Sequence, residues 1–274
     1  MGPCFRRDDV SIYGGSLNTN SALKNIKGTV VLAGAGKMGG AMLSGWLAQG
    51  LAAKSVVVIE PHASDDIRAL AAKGVRLNPS PKDAGPVAAF VIALKPQAFR
   101  EAGPALKPYA GPSTLVVSIM AGTTIASIAE VCGGSIVRAM PNTPAAIGRG
   151  ITVAVAAKKV GNAQRAVADH LLRATGSVEW VEDEGLMDAV TAVSGSGPAY
   201  VFLLAEELAR ETVAGSGELL HRSDLSAATL RQNVTSPGGT TAAALEVLMG
   251  PDGLKSLMTR AVAAATKRSK QLAK

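Results

Sequence analysis

Short apolar runs and helix-like stretches alternate along the first two thirds of the chain. The apolar runs are rich in Val and Ile and are bounded by Gly, Pro or Ser, which predicts buried strands. We predict strands over residues 29–33, 56–59, 87–94, 115–119, 136–139, 151–156 and 178–181. Between them, helical periodicity predicts helices over residues 37–49, 65–73 and 160–175. This alternation predicts a parallel sheet with right-handed crossover connections.

Strand-like runs stop near residue 182, and the rest of the chain has helical periodicity. We predict helices over residues 184–193, 198–220, 226–233, 240–248 and 253–272. We expect Tyr200 and Phe202 to pack in the core of this helical part. The chain therefore divides into an α/β domain over residues 28–182 and an all-helical domain over residues 183–274. Residues 1–27 have no sustained period, and we predict that they form a flexible N-terminal extension.

The composition narrows the possible functions without changing the predicted fold. Hydrophobic residues make up 47% of the chain and charged residues 18%, as in a globular protein. No apolar run reaches the roughly 18 residues of a membrane span, and the two separated cysteines suit a reduced, cytoplasmic protein. The net charge of +7 is scattered, so we expect an anionic small molecule rather than nucleic acid as the partner. No cluster of His, Cys and carboxylates has metal-ligand spacing.

A glycine-rich segment with the sequence GAGKMG occupies residues 34–39, hereafter the glycine loop. It follows the first predicted strand, opens the first predicted helix and has the G-x-G-x-x-G pattern of dinucleotide-binding folds. Gly34 permits the tight turn, Gly36 lets a pyrophosphate approach the backbone, and Gly39 lets the helix pack on the strand. Free N–H groups at the helix start face the phosphates. A turn that only connects two elements is the alternative.

Glu60 ends the second predicted strand, about 20 residues beyond Gly39, where dinucleotide-binding folds place an acid. An acid at this position accepts a hydrogen bond from the 2′-hydroxyl of the adenosine ribose. It repels a 2′-phosphate, and only His62 and Ser64 follow as possible phosphate partners, so the electrostatics favour NADH. The alternative is that Glu60 is a solvated strand end.

Four further motifs carry a resemblance to a known family. They are ALKPQ over residues 93–97, RAMPNTP over 138–144, SGSGPAY over 194–200 and VTSPGGTT over 234–241. With the glycine loop they span the chain from residue 28 to the C-terminal part, and the chain resembles the pyrroline-5-carboxylate reductases. The resemblance implies a Rossmann domain followed by an all-helical dimerisation domain. It also implies hydride transfer from NADPH or NADH to the imine carbon of 1-pyrroline-5-carboxylate, which yields L-proline.

The resemblance also implies roles for individual residues. Lys37 and Met38 match positions near the diphosphate of the cofactor. The positions at the edge of the nicotinamide-ribose site are Ala93, Lys95, Pro96, Met120, Ala121, Gly122, Pro141 and Asn142. The loop that receives the substrate carboxylate and ring nitrogen, hereafter the substrate loop, spans residues 236–241 and contributes Ser236, Gly239, Thr240 and Thr241. Asp224 matches a position near this loop that is often acidic in the family.

The substrate loop has residue types that suit this chemistry. It is rich in glycine and hydroxyl groups and precedes a predicted helix that begins near Thr240. Free N–H groups at a helix start can hold a carboxylate. An imine gains a proton when it is reduced, and the Thr241 hydroxyl, or a water that it orients, is a candidate donor. The alternative is that Thr240 only caps its helix.

The chain departs from the family pattern between residues 199 and 236. Here about 18 residues are missing, which corresponds to about five helical turns. The segment 198–220 either forms one continuous helix, weakened by two internal glycines, or breaks at a loop near Arg210 and keeps the site. Because these helices supply most of the dimer interface in the family, the shortening affects the expected homodimer or higher oligomer.

Two alternatives to an active proline-forming reductase follow. One is an NAD(P)-binding protein whose catalysis is impaired by the shortened helices. The other is a reductase of the same architecture that acts on a different substrate, such as a small β-hydroxyacid dehydrogenase, which is expected to use a catalytic lysine in its helical domain. The second is disfavoured because no lysine lies between Lys159 and Lys255.

Overall fold

The computed structural model describes residues 22–272 and contains an eight-stranded sheet. The strands are β1 Thr29–Ala33, β2 Val56–Ile59, β3 Arg76–Leu77, β4 Val87–Ile92, β5 Leu115–Ser118, β6 Ser135–Met140, β7 Gly150–Ala156 and β8 Gly176–Trp180. They lie in the order β3-β2-β1-β4-β5-β6-β7-β8. The strand order reverses between β1 and β4, which leaves a crevice outside the carboxyl ends of these two strands.

Two strands of the sheet, β7 and β8, run against the predicted direction. All neighbouring pairs are parallel except β6 and β7, which are antiparallel. The prediction of a parallel sheet is therefore wrong for this pair. The physical reason is the connection: residues 141–149 contain only a short 3-10 helix, Thr143–Ile147, whereas a parallel crossover needs about a dozen residues or more.

Five α-helices connect the strands. They are α1 Lys37–Ala48, α2 Asp65–Ala72, α3 Pro96–Leu106, α4 Ile125–Cys132 and α5 Asn162–Arg173. The sequence pattern predicts neither α3 nor α4, although both have recognisable starts. Pro96 occupies the first turn of α3, where its missing N–H removes no intrahelical bond. The Thr124 hydroxyl caps α4 by accepting a hydrogen bond from Ser127 N at 3.2 Å.

Apolar side chains cover both faces of the sheet. On one face, Trp46 of α1 is fully buried and donates a hydrogen bond from Nε1 to the carbonyl oxygen of Leu171 in α5, at 2.8 Å. Gly45 allows this close approach, because a Cβ there would collide with the carbonyl oxygen of Ala174. On the other face, a second cluster forms around the buried Phe90. Packing on both faces fixes the positions of the strand ends.

The fold begins before the predicted boundary at residue 27. A 3-10 helix, Leu23–Asn25, precedes β1, and the side chain of Leu23 is buried in the same cluster as Trp46. The predicted extension is therefore too long at its C-terminal end, because a single buried leucine gives no periodic signal. Residues 1–21, which make up most of the predicted extension, and residues 273–274 lie outside the described residues.

Helices follow β8 to the end of the described residues. They are α6 Met187–Val190, α7 Gly197–Glu207, α8 Arg210–Arg222, α9 Ala227–Asn233, α10 Thr240–Leu248 and α11 Leu254–Leu272. The single helix predicted over residues 184–193 is instead a 3-10 helix, the short α6 and a π-helix, Thr191–Gly195. The π-helical turn closes with a hydrogen bond from Ser196 N to the carbonyl oxygen of Thr191, at 2.9 Å.

The segment 198–220 is not one continuous helix. Helix α7 ends at Glu207, and Leu208 and Ala209 are extended before α8 begins at Arg210. The two internal glycines lie within α8 and do not interrupt it. The chain therefore breaks near Arg210, as one of the two sequence interpretations predicts.

Helices α7 to α10 have an apolar surface instead of a core. Helices α7 to α10 bury no side chain, and every buried hydrophobic residue in the described chain lies at or before Ala192. Phe202 is 63% exposed, so its predicted packing in a helical core is wrong, while Tyr200 is half-buried and donates its hydroxyl to Ala192 O at 3.0 Å. The apolar helical surface is formed on α7 and α8 by Val201, Phe202, Leu203, Leu204, Leu219 and Leu220.

The C-terminal helix returns to the sheet-containing part. Ser269 of α11 is buried, and its hydroxyl donates a hydrogen bond to Asp188 Oδ1 of α6 at 2.6 Å. Leu272, at the end of α11, lies against Gly122, where an added Cβ would be 3.1 Å from the Leu272 Cβ. The end of α11 therefore supports the segment that follows β5.

An exposed ion pair links α8 to the sheet-containing part. Arg149, just before β7, pairs through Nη2 with Glu218 Oε2 at 2.9 Å. Arg222 pairs with the other oxygen of the same carboxylate at 2.6 Å. Hydrogen bonds from Arg222 and Arg149 hold the pKa of Glu218 below its usual value.

Candidate cofactor and substrate site

Four neighbouring parallel strands end at one edge of the sheet. Because β1, β4, β5 and β6 point the same way, the segments that follow them meet at this edge. These segments are the glycine loop and residues 93–96, 120–122 and 141–142. Strand β2 adds Glu60 beside β1. The structure thus gathers at one edge, hereafter the cofactor edge, the residues that the sequence predicts for the cofactor.

Two glycines of the glycine loop are required by the packing of the protein itself. Gly34 has a φ of +90°, and an added Cβ would lie 2.7 Å from the carbonyl oxygen of Ala93. A Cβ on Gly39 would collide with the carbonyl oxygen of Gly34. Side chains are therefore excluded at both positions, and β1, α1 and the end of β4 come into close contact.

Gly36 differs because the protein leaves its Cβ position open. Its φ of −66° is accessible to any residue, and no heavy atom lies within 4 Å of an added Cβ. Gly36 is also the N-cap of α1, and no side chain caps the first turn of that helix. Open space beside uncapped N–H groups fits a pyrophosphate, which needs both close backbone approach and N–H donors. These residues therefore fit a dinucleotide.

The carboxylate of Glu60 lies against the glycine loop. Its Oε2 accepts a hydrogen bond from Ala35 N at 2.9 Å, and its Oε1 accepts one from His62 N at 3.1 Å. The side chain of Asn78 bonds the backbone of Glu60 in both directions, at 2.8 and 3.0 Å. Glu60 is therefore more than a solvated strand end, and it lies where dinucleotide-binding folds hold the adenosine ribose.

The segments predicted for the nicotinamide end differ in what they can offer a ligand. The Met120 side chain is buried in the core, so only its backbone can face the cofactor edge. Asn142 uses its Oδ1 to accept a hydrogen bond from Ile151 N at 2.9 Å, which fixes the segment after β6. Lys95 is exposed at the start of α3. Gly122 has a φ of +70° and contacts the end of α11.

A partly buried ion pair next to the cofactor edge is not predicted from the sequence, although its arginine, Arg138, begins the RAMPNTP motif. Arg138 lies within β6, is 4% exposed and pairs through Nη1 with Glu184 Oε1 at 2.9 Å. The same oxygen accepts a hydrogen bond from Ile125 N, the first residue of α4, at 2.8 Å. Glu184 thus ties β6 and α4 to the start of the helical part. The sequence feature that could have indicated this pair is a charged residue, Arg138, inside an otherwise apolar strand. A buried charge requires a partner of opposite charge.

The substrate loop leads into the start of α10. Gly238 has a φ of +67°, and Gly239 N donates a hydrogen bond to the carbonyl oxygen of Ser236 at 3.0 Å, which closes the turn. Gly239 is the N-cap of α10, and no side chain caps the first turn. Thr240 is therefore the first residue of the helix and not its cap, and the N–H groups of Thr240 and Thr241 are available to a carboxylate.

The substrate loop is open to solvent in the single chain. Ser236 and Thr240 are exposed, Thr241 is half-buried, and Asp224 is exposed in the connection between α8 and α9. Within residues 22–272, no hydrogen bond joins the substrate loop to the cofactor edge. The structure therefore brings the predicted cofactor residues together, whereas the predicted substrate residues face solvent without a hydrogen bond to them in the described part of the chain.

The described residues offer neither a metal site nor a reactive thiol. Residues 22–272 contain no group of three or more His, Cys, Asp or Glu residues that could hold a metal ion. No helix in this range is both long enough and apolar enough to cross a membrane. Cys132 is buried, and its burial raises the pKa of the thiol to about 11, so the thiol stays protonated at neutral pH.

Family models match both parts of the chain. The model described as NADP oxidoreductase coenzyme F420-dependent matches residues 29–122. The model for pyrroline-5-carboxylate reductase dimerisation matches residues 184–210 and 204–272. The two segments of the second match overlap at residues 204–210, where α7 gives way to α8 and where the chain is shortened.

Curated relatives align over most of the chain. The pyrroline-5-carboxylate reductase of Pseudomonas aeruginosa is 37% identical over 266 aligned positions, which cover 89% of this chain and 96% of the relative. The corresponding protein of Synechocystis is 38% identical, and the alignment covers 86% of this chain and 96% of that protein. Because 89% of 274 residues is about 244, about 22 of the 266 positions in the first alignment face gaps in this chain. This number is close to the roughly 18 residues predicted to be missing from the helical segment.

Solved structures resemble the whole fold. The pyrroline-5-carboxylate reductase of Coxiella burnetii is 32% identical, with a TM-score of 0.80 over 91% of this chain and 100% of that chain. The pyrroline carboxylate reductase of Plasmodium falciparum, solved with NADP bound, is 28% identical, with a TM-score of 0.76 over 92% of this chain and 99% of that chain. The sheet order, the helical part and the aligned relatives agree, and the chain belongs to the pyrroline-5-carboxylate reductase family.

Proposed function

We propose that this protein reduces 1-pyrroline-5-carboxylate to L-proline by hydride transfer from NADPH or NADH, the last step of proline biosynthesis. The observation that carries the proposal is the open Cβ position of Gly36 beside the uncapped start of α1. The second uncapped helix start, at α10, follows the hydroxyl-rich substrate loop and suits a carboxylate. The names of the aligned relatives support the same substrate.

The cofactor edge orients the dinucleotide. The bound NAD(P)H supplies the hydride, so the protein needs only to orient the two rings and to stabilise charge. The first turn of α1 faces the pyrophosphate, with room left by Gly36, and Glu60 faces the adenosine ribose. Residues 93–96, 120–122 and 141–142 border the nicotinamide end.

The substrate loop binds and protonates the substrate. The first N–H groups of α10 and the hydroxyl of Ser236 donate hydrogen bonds to the carboxylate. As the imine carbon gains the hydride, the ring nitrogen gains a proton from the Thr241 hydroxyl or from a water that Thr241 orients. Asp224, in the connection before α9, is the candidate acid near this loop.

The shortening of the helical segment does not remove the substrate loop or the helix that follows it. The chain breaks at Leu208 and Ala209, and α9, the substrate loop and the full predicted α10, Thr240–Leu248, follow. The alignment also spans 96% of the P. aeruginosa relative. We therefore favour an active reductase over a dinucleotide-binding protein with impaired catalysis.

Steady-state oxidation of NADH and NADPH by the purified protein tests this proposal. We expect oxidation that depends on added 1-pyrroline-5-carboxylate and that forms one L-proline for each cofactor oxidised. A reaction without substrate gives the background rate and serves as the control. Cofactor binding without turnover would instead support the non-catalytic alternative.

We further propose that the protein is a homodimer in which a second copy covers the apolar helical surface. The match to a dimerisation family model and the absence of buried side chains from α7 to α10 support this assembly. The substrate loop makes no hydrogen bond to the cofactor edge of its own chain within the described residues. A dimer in which each loop covers the cofactor edge of the partner would complete both sites.

A charge placed on the apolar helical surface is expected to weaken the dimer. Phe202→Asp buries an unpaired carboxylate in the proposed interface, at a cost of about 3 kcal/mol or more, which corresponds to at least about 100-fold in the dimer Kd. Light scattering after size exclusion measures the change. Ala163→Asp, which adds the same charge at the exposed start of α5, is the matched control and should remain dimeric. A Phe202→Asp variant that stays dimeric would contradict the proposed interface.

We propose that the two functional units meet near residue 182. Strand β8 ends at Trp180, and the helical part begins with a 3-10 turn at Glu184. The cofactor-binding unit then spans residues 28–182, with residues 22–27 packed onto it, and the helical unit begins at residue 183.

The buried thiol of Cys132 suits the reducing cytoplasm, where we place the protein.

A further inference from the structure

The segment after β2 is negatively charged where the adenosine ribose is expected to bind. Residues 55–67 include Glu60, Asp65 and Asp66 but no Lys or Arg. The next cation along the chain, Arg68, pairs with Asp65 at 3.4 Å. A ligand group that approaches residues 55–67 therefore meets carboxylates and no cation from the same segment.

Glu60 is fixed in position from two sides. Its carboxylate bridges Ala35 N and His62 N, and the side chain of Asn78 bonds its backbone N–H and carbonyl. Asn78 has a φ of +49°, a left-handed conformation that asparagine tolerates, and its own N–H donates to Val58 O at 2.8 Å. Glu60 is thus held against the glycine loop before any ribose arrives.

The hydrogen bonds of Glu60 determine whether a ribose with a 2′-hydroxyl or one with a 2′-phosphate fits. A 2′-hydroxyl can donate to the carboxylate, because each carboxylate oxygen accepts a second hydrogen bond. A 2′-phosphate carries about two negative charges and needs donors or cations. The N–H groups of Ala35 and His62 are already engaged by Glu60. The Ser64 hydroxyl accepts the capping bond from Ile67 N at 3.4 Å and can still donate its O–H, but one neutral donor does not balance the charge of a phosphate.

We infer that this protein uses NADH in preference to NADPH and that Glu60 sets the preference. The inference rests on the proposed function, because it concerns the cofactor of the same reaction. Glu60 excludes the 2′-phosphate in two ways, by charge repulsion and by occupying the N–H groups of Ala35 and His62. Removal of its charge weakens both effects, so the same N–H groups become donors for the phosphate.

Cofactor titration in the absence of substrate tests the inference directly. The wild type is expected to bind NADH at least about tenfold more tightly than NADPH, a difference of about 1.4 kcal/mol. In Glu60→Gln, the ratio of the two Kd values is expected to fall at least about tenfold, mainly through tighter NADPH binding. Asp66→Asn is the matched control: it removes a neighbouring charge but keeps the bond between Glu60 and Ala35, and it should change the ratio by less than about threefold.

Steady-state kinetics with 1-pyrroline-5-carboxylate give the second readout, in which the change should appear in the KM for the cofactor. The inference is overturned if the wild type binds NADPH as tightly as NADH, or if Glu60→Gln leaves the ratio of Kd values unchanged. Glu60→Ser replaces Glu60→Gln if the latter does not fold. Because binding is measured without substrate, a shifted ratio with no turnover would sustain this inference and contradict the proposed function. Equal turnover with both cofactors would sustain the proposed function and contradict this inference.

Discussion

Replacement of Thr241 by alanine is expected to lower kcat for 1-pyrroline-5-carboxylate reduction by about 100-fold, with the Kd for the cofactor unchanged. The hydroxyl is the candidate proton donor to the ring nitrogen, and general acids contribute about 100-fold or more. We take the lower end of this range because water can partly replace the lost hydroxyl. The first N–H groups of α10 remain in the variant, so the KM for the substrate should change less than kcat. Steady-state kinetics at saturating cofactor measure both parameters.

Two further variants separate proton donation from local structure. Thr241→Ser keeps the hydroxyl and should retain most of the activity. Thr235→Ala removes a nearby hydroxyl that donates to Arg231 O at 2.7 Å and lies outside the proposed site, so it should leave kcat unchanged. If Thr241→Ala has nearly wild-type kcat, or if Thr235→Ala loses as much, Thr241 is not the donor.

A Gly36→Val variant is expected to fold but to bind NADH at least about 100-fold more weakly, because the new side chain occupies the place of the pyrophosphate. No protein atom lies within 4 Å of an added Cβ at Gly36, so steric strain within the protein should be small. Loss of the glycine N-cap should cost about 1 kcal/mol of stability. Fluorescence titration with NADH measures the binding, and circular dichroism during heating measures the stability.

Gly40→Ala is the matched control for this variant. It adds a Cβ in the same helix, at an ordinary 3.5 Å from the carbonyl oxygen of Ala35. Alanine also favours a helix interior over glycine by about 1 kcal/mol. This control should bind NADH as the wild type does. Normal NADH binding by Gly36→Val would mean that the pyrophosphate lies elsewhere than at the glycine loop.

The sequence pattern predicts the bounds of a strand or helix best where a glycine or proline marks its end. The bounds of β1 and β2 coincide with the prediction, because Gly34 follows β1 and Pro61 lies close after β2. Helix α10 also has its predicted bounds, between Gly239 and the turn at Gly250. The glycine loop and Glu60 could be placed at the cofactor edge for the same reason, since each directly follows a strand.

Features that depend on distant contacts could not be predicted in this way. Helix α3 contains Gly103 and Pro104, which weaken any helical signal, yet its buried Phe99 packs against the sheet. The antiparallel direction of β7 follows from the length of a connection, which the hydrophobic pattern does not encode. The bonds from Asn78 to Glu60 join residues that are 18 positions apart and have no local sequence signature.

The apolar pattern of the helical part predicts burial but not the covering partner. Phe202 lies in a run of apolar residues and has the pattern of a core residue, yet it is largely exposed in the single chain. A second copy can bury the same helix face as well as the rest of the chain can. The sequence therefore predicts that this surface is covered, and the structure shows that its own chain does not cover it within the described residues.

The lack of buried side chains from α7 to α10 couples the folding of the helical part to protein concentration. If a second copy buries the apolar helical surface, the helical part gains this stability only on association. Its unfolding midpoint then rises with the concentration of protomers. The sheet-containing part is different, because every buried hydrophobic residue of the described chain except Met187 and Ala192 lies within it. On dilution, heating should therefore produce two transitions, with the helical part melting first and the sheet-containing part later at a temperature independent of concentration.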